Sequence, residues 1–152
     1  MHDNLGRTID YLRISVTDRC NLRCVYCMPA EGVPYKPHGE ILSYEEIVRL
    51  VTVGANLGMR RLRLTGGEPL VRTGLANLVR ELKSIPGIEE LSLTTNGTLL
   101  APSATELKAA GLDRVNISLD TLRPERFAAI TRCDSLEAAI KGIKAALAAG
   151  LN

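Results

Sequence analysis

Three cysteines crowd into eight residues as Cys20-x-x-x-Cys24-x-x-Cys27, while the fourth, Cys133, stands far along the chain. A disulfide scaffold spreads its cysteines more evenly, so the cluster points to metal ligation. Three thiolates at this spacing can hold three irons of a four-iron four-sulfur cubane and leave the fourth iron open to a ligand that is not protein. Zinc is the rival reading. It would want a fourth ligand, for which His38 is the nearest candidate, and zinc knuckles usually pair two Cys-x-x-Cys units where this chain has one. Cys133 reads as an incidental free thiol, a small hydrophobe.

The elements that must position these thiols are legible from caps and apolar spacing. Ser43-Tyr44-Glu45-Glu46 is a capping box opening a helix that carries Ile47, Leu50, Val51 and Leu57, with Gly58 as its C-cap. A second helix spans about 74–85 and stops at Pro86-Gly87. Ser103-Ala104-Thr105-Glu106 repeats the capping box for a third, ended by Gly111, and a fourth begins near Asp134 or Ser135 and ends at Gly150. Four strands lie between them, at 12–16, 62–65, 91–94 and 115–119. Strand–helix alternation with short connections predicts a parallel sheet, and the cysteine run follows the first strand, at the sheet's carboxyl end.

All four strands alternate in one phase. Leu12, Ile14, Leu62, Leu64, Leu91, Leu93, Val115 and Ile117 form an aliphatic set, and Arg13, Ser15, Arg63, Thr65, Ser92, Thr94, Asn116 and Ser118 a polar one. A doubly wound sheet, covered by helices on both faces, would be apolar on both sides. A barrel puts helices only outside, so the polar set would line its interior, and two arginines there suggest a cavity for a charged ligand. An antiparallel sheet with one solvated face fits the alternation as well, but not the helices between the strands.

At 152 residues the chain has the length of one domain, and with 45% hydrophobic residues but only one Phe, four Tyr and no Trp its core must be aliphatic. A net charge of +2, scattered along the chain, leaves no electrostatic footprint for nucleic acid or an anionic membrane. No apolar run reaches the length of a signal-peptide core or a membrane span, so a cytoplasmic location is expected.

The cysteine motif, with Tyr26 before its last cysteine, resembles the hallmark of radical S-adenosylmethionine enzymes. Thr65-Gly66-Gly67-Glu68-Pro69 looks like the Gly-Gly-Glu motif of that superfamily, which receives the methionine amino group of the cofactor; paired glycines permit close backbone approach, and Glu68 or exposed carbonyls can accept from an ammonium. The runs from Tyr11 to Asn21, Leu93 to Gly97 and Asn116 to Asp120 are similar to the GTP 3',8-cyclase family of molybdenum-cofactor biosynthesis.

That resemblance implies an α/β fold, a partial TIM-type barrel of about four βα units. It implies a 4Fe-4S cluster on Cys20, Cys24 and Cys27, S-adenosyl-L-methionine against Tyr26, Gly67 and Ser118, and GTP against Arg13, Arg63 and Thr94. The implied enzyme is a lyase that cleaves S-adenosylmethionine to a 5'-deoxyadenosyl radical, which starts cyclisation of GTP, with electrons from a donor such as flavodoxin or ferredoxin; the alternatives are another radical SAM enzyme acting on a peptide or tetrapyrrole, and a catalytically silent half barrel. Cys133 matches no ligand of the family. Full-length members run about as long again and carry a second three-cysteine cluster that holds the guanine. Residues 1–152 are therefore expected to be a single radical SAM core domain cut before the fifth strand, its open side completed by a missing carboxyl-terminal half or by a homo-oligomer, with no nucleic acid or membrane partner.

Overall fold

The computed structural model describes residues 4–151. Strands β1 (Tyr11–Ser15), β2 (Arg61–Thr65), β3 (Glu90–Thr95) and β4 (Arg114–Ile117) lie side by side in chain order, and every neighbouring pair is parallel. The helices among the described residues are α1 (Tyr44–Asn56), α2 (Leu75–Ser84), α3 (Ala104–Ala109), α4 (Pro124–Thr131) and α5 (Leu136–Ala148). Single 3-10 turns occur at His38–Glu40 and Pro69–Val71. Parallel neighbours require a crossover, which α1, α2 and α3 supply, so the antiparallel alternative is excluded.

The register aligns Leu12 with Leu62 and Leu91, and Ile14 with Leu64, Leu93 and Val115. Leu62, Leu64, Leu91 and Leu93 are fully buried, packed with Ile47 and Val51 of α1, Leu78, Val79 and Leu82 of α2, Leu107 of α3 and Ala146 of α5. Each such side chain contributes about 1.5–3 kcal/mol by leaving water. The other face carries Arg13, Arg63, Ser92 and Arg114 in one row. Helices covering one face of a consecutive parallel sheet make the wall of a TIM-type barrel, here a partial one, rather than a doubly wound sheet.

Local chemistry explains most element ends. At α1 the capping box forms: Glu46 N donates to Ser43 Oγ at 3.2 Å, and Ser43 N donates to Glu46 Oε2 at 2.7 Å. At α3 the expected box does not form. Residues 97–103 already coil into the helix, with Leu100 N donating to Gly97 O and both Ser103 N and Ala104 N to Leu100 O, so backbone carbonyls take the role of a cap and Ser103 Oγ lies 3.4 Å from Leu99 O. The fourth expected helix is α5, which starts at Leu136. Helix α4 was not expected: it has eight residues, Arg123 at its N-cap and only Phe127 and Thr131 buried, so its amphipathic signal is weak and Pro124 in its first turn is the one clear cue.

The loop after β3 runs under α5, where a Cβ on Gly142 would collide with Gly97 O and lie 3.2 Å from Leu100 Cβ. Both obstacles are rigid, one backbone and one core side chain. Gly142→Ala should therefore destabilise by about 1–3 kcal/mol, which calorimetry would read as a fall of several degrees in Tm. Gly39→Ala, with nothing within 4 Å of the added carbon, is the control.

Candidate functional site

Of the three arginines in the polar row, only one is free. Arg114 pairs with Glu90 at 2.6 Å, and Arg63 lies over the Tyr11 ring, 5.6 Å from its centroid, with Nε 3.4 Å from Ser92 Oγ. The Arg13 guanidinium is exposed and makes no hydrogen bond or ion pair with the described residues. Thr94, half-buried and paired in register with Asn116, lies near the carboxyl end of the same face. Arg13, Arg63 and Thr94 thus share the helix-free face, where an unneutralised cation and a hydroxyl suit an anionic, hydrogen-bonding ligand.

Above that face, the loop after β1 is stitched to every other strand end. Gly67 N and Glu68 N donate to Thr17 O and Arg19 O, each at 2.8 Å, joining it to the turn after β2. Asn21 Nδ2 donates to Thr98 Oγ1 at 2.8 Å, and Asn96 Nδ2 to Asn21 Oδ1 at 2.9 Å, joining it to the turn after β3. Tyr26 Oη donates to Asp120 Oδ2 at 2.9 Å, joining it to the turn after β4. Burial and this bond to Asp120 push the Tyr26 phenol well above its ordinary value. Ser118 is exposed beside them, its N–H donating to Thr95 O at 2.9 Å. The sequence gives no individual signal for Asn21 or Asp120, because an Asx side chain inside a loop carries no positional signal until its partner is known.

The Gly66-Gly67-Glu68 turn departs from the simplest expectation. A Cβ at Gly66 would lie 2.6 Å from Thr17 O, and one at Gly67 would collide with Arg19 O, so glycine is required here by the crossing of two loops. Glu68 is only 1% exposed and turns inward: its carboxylate accepts from Leu70 N (3.0 Å), Thr95 Oγ1 (2.7 Å) and Asn96 N (2.7 Å). Burial raises its pKa above the ordinary 4.5, against the lowering effect of those donors. Of the two acceptors considered for an ammonium, the carbonyls are the ones left open. Gly66 O and Gly67 O receive no hydrogen bond from the described residues.

The three thiols are free of disulfides, with Cys20 and Cys24 half-buried and Cys27 exposed. Cys27 N and Met28 N both donate to Cys24 O, at 2.9 and 3.1 Å, so the segment between them is a tight turn. Burial pushes the Cys20 and Cys24 thiols up, and nearby acidic groups add to it: Glu68 and Cys24 at Cys20, Cys27 and Asp120 at Cys24. Among the described residues no three His, Cys, Asp or Glu side chains converge as ligands of a single ion would. An all-sulfur donor set spread over a loop fits separate irons of a cluster, which would hold the thiolates deprotonated. The side chain of His38 lies outside the described residues, and Cys133 sits beyond the loop, its N–H and C=O at the Thr131 hydroxyl.

The family model of the Radical SAM superfamily matches residues 14–152. The chain is 59% identical over its whole length to a GTP 3',8-cyclase of Petrotoga mobilis and 60% identical to one of Pelotomaculum thermopropionicum, covering 47% of each. It therefore spans about half the length of these relatives. Among solved structures, methylornithine synthase superposes with a TM-score of 0.74 at 16% identity, over 93% of this chain and 42% of that one. Streptococcus suis SuiB bound to S-adenosylmethionine superposes at 0.71 and 23% identity, over 94% of this chain and 32% of that one. At such identities the likeness is one of fold.

The buried Glu68 carboxylate makes the wiring of this edge testable. Because its folded pKa lies above 4.5, the folded state holds the proton more tightly than the unfolded state, and stability is lost as pH rises through that window. Urea unfolding of the parent, referenced to Glu68→Gln at each pH, should show the parent's relative stability falling from pH 4.5 towards neutrality, opposite in sign to a paired surface carboxylate. Glu68→Ala, which strips three donors of their acceptor, should cost at least about 3 kcal/mol, at about 1–3 kcal/mol for each buried donor left unpaired.

Proposed function

Because the chain belongs to the Radical SAM superfamily, we propose that it is the cofactor-holding part of a GTP 3',8-cyclase of molybdenum-cofactor biosynthesis. The observation that carries this reading is the convergence at one sheet edge: three unlinked thiols, two open glycine carbonyls, and an unneutralised Arg13 on the polar face below them. Identity of 59–60% to GTP 3',8-cyclases over the whole chain supports the specific activity.

In this reading Cys20, Cys24 and Cys27 hold a 4Fe-4S cluster, and the carbonyls of the Gly66-Gly67 turn accept from the ammonium of S-adenosylmethionine, with Tyr26 and Ser118 flanking it. When bound, these groups supply the one-electron cleavage that generates a 5'-deoxyadenosyl radical. The chain's own part is placement. Arg13 and Arg63 bind the anionic nucleotide from the strand face while Thr94 hydrogen-bonds it, and the leucine core behind them holds the face rigid. The bonds from Asn21 and Tyr26 keep the cluster loop over that face. The electron comes from a flavodoxin- or ferredoxin-type donor in the cytoplasm, and the cavity is closed by the further length that the relatives possess. No helix among the described residues is long and apolar enough to cross a membrane.

Anaerobic reconstitution should load one four-iron four-sulfur cluster per chain, lost in Cys24→Ala and retained in Cys133→Ala, as counted by iron analysis and electron paramagnetic resonance. Tight zinc uptake with no iron–sulfur signal would refute the reading. In the complete enzyme, Arg13→Ala or Arg63→Ala should weaken GTP binding about 10- to 100-fold, from about 1.5–3 kcal/mol per hydrogen bond to a charged group, and leave S-adenosylmethionine binding intact. The 152-residue chain, reduced with dithionite, should release 5'-deoxyadenosine slowly but form no cyclised nucleotide, both followed by mass spectrometry.

A further inference from the structure

Residues 23–28, which include Cys24 and Cys27, lie along the carboxyl end of α4. Arg23 N donates to Thr131 O at 3.0 Å and Val25 N to Ile130 O at 2.9 Å, satisfying carbonyls that a helix end leaves without an intrahelical partner. The next residue, Arg132, has φ 54° and ψ 30° and is the one non-glycine with positive φ among the described residues. Helices that end in this conformation usually place glycine there, because a Cβ is strained by it. Arg132 instead sends its guanidinium back across the loop: Nη1 donates to Arg23 O and to Met28 O, both at 2.9 Å. That nitrogen carries two hydrogens, one for each carbonyl.

A strained residue persists where its surroundings over-determine it, and such residues gather at functional sites. Glycine would relieve the backbone but could not make the bridge. Inside the bridge the turn is already tight, since Cys27 N and Met28 N share Cys24 O. Its two ends are what remain to be set, and Arg132 ties both to one atom. We infer that Arg132 is a positioning residue for the cluster-binding loop, fixing the span from Arg23 to Met28 and through it the placement of the Cys24 and Cys27 thiols. This rests on the reading of Cys20, Cys24 and Cys27 as cluster ligands. Groups that orient ligands from behind tune metal affinity, typically by about 10- to 100-fold. The guanidinium is in addition a fixed positive charge on a loop that becomes anionic when its thiolates are formed.

The test compares the parent, Arg132→Gly and Arg132→Lys as full chains. In the metal-free proteins, amide hydrogen exchange should accelerate in the Gly variant at residues 23–28 and not across the sheet. After anaerobic reconstitution, the Gly variant should release iron to a chelator roughly 10- to 100-fold faster than the parent, with an altered electron paramagnetic resonance signal in the reduced state. The Lys variant, which keeps the charge and one donor, should fall between. A Gly variant that holds its iron like the parent, or whose exchange rises uniformly through the fold, would overturn the inference. If the parent itself takes up no iron–sulfur cluster, the cluster reading fails instead, and the exchange pattern at 23–28 alone decides whether Arg132 anchors the loop.

Discussion

A strand residue can face only one side of its sheet, and in this protein four parallel strands are locked so that the same phase of each faces hydrocarbon. Leu62, Leu64, Leu91 and Leu93 are fully removed from water, and the register that achieves this also sets Arg13 beside Arg63 and both in the row of Ser92. A slip of one residue would drive those guanidiniums into the aliphatic core and expose the leucines. The packing that stabilises the fold and the placement of its helix-free polar row are thus a single constraint.

On that wall, the carboxyl edge is organised by hydrogen bonds rather than by apolar packing. The turns after β2 and β3 are clamped by a buried carboxylate, Glu68, whose acceptors are used by Leu70, Thr95 and Asn96. The loop after β1 crosses the first of these turns so closely that only glycines fit at 66 and 67. It is then held by Asn21, by Tyr26 and by the end of α4. A long loop without an apolar core of its own is in this way fixed at several points by hydrogen bonds to its neighbours.

Net charge conceals the electrostatics that matter. Arg61, Lys83 and Arg114 are matched by Asp10, Asp113 and Glu90 at 2.6, 2.7 and 2.6 Å, so these three charges are neutralised within the fold. Arg13 is not matched, and it lies on the face that the helices leave bare. A chain with a near-neutral overall balance can therefore still offer a local attraction to an anion.

Periodicity, caps and spacing determined much of this protein by themselves. The four strands, their common phase, the helices α1, α2, α3 and α5 and the cysteine loop at the carboxyl end all follow from short-range patterns, because the signals for burial and capping lie within a few residues of one another. The resemblance of Cys20 to Cys27 and of the Gly66-Gly67-Glu68 turn to radical SAM enzymes is equally local, and the match of the family model to residues 14–152 agrees with it. Tertiary structure alone decided what those residues touch. It turned Glu68 into the core, replaced the Ser103 cap by backbone carbonyls, formed α4, and brought Asn21 to Asn96, Tyr26 to Asp120 and Arg132 to Met28. Each of these pairs joins residues some 75 to 104 positions apart, and no periodicity in a sequence encodes a contact whose partner is chosen only when the loops at the end of the sheet meet.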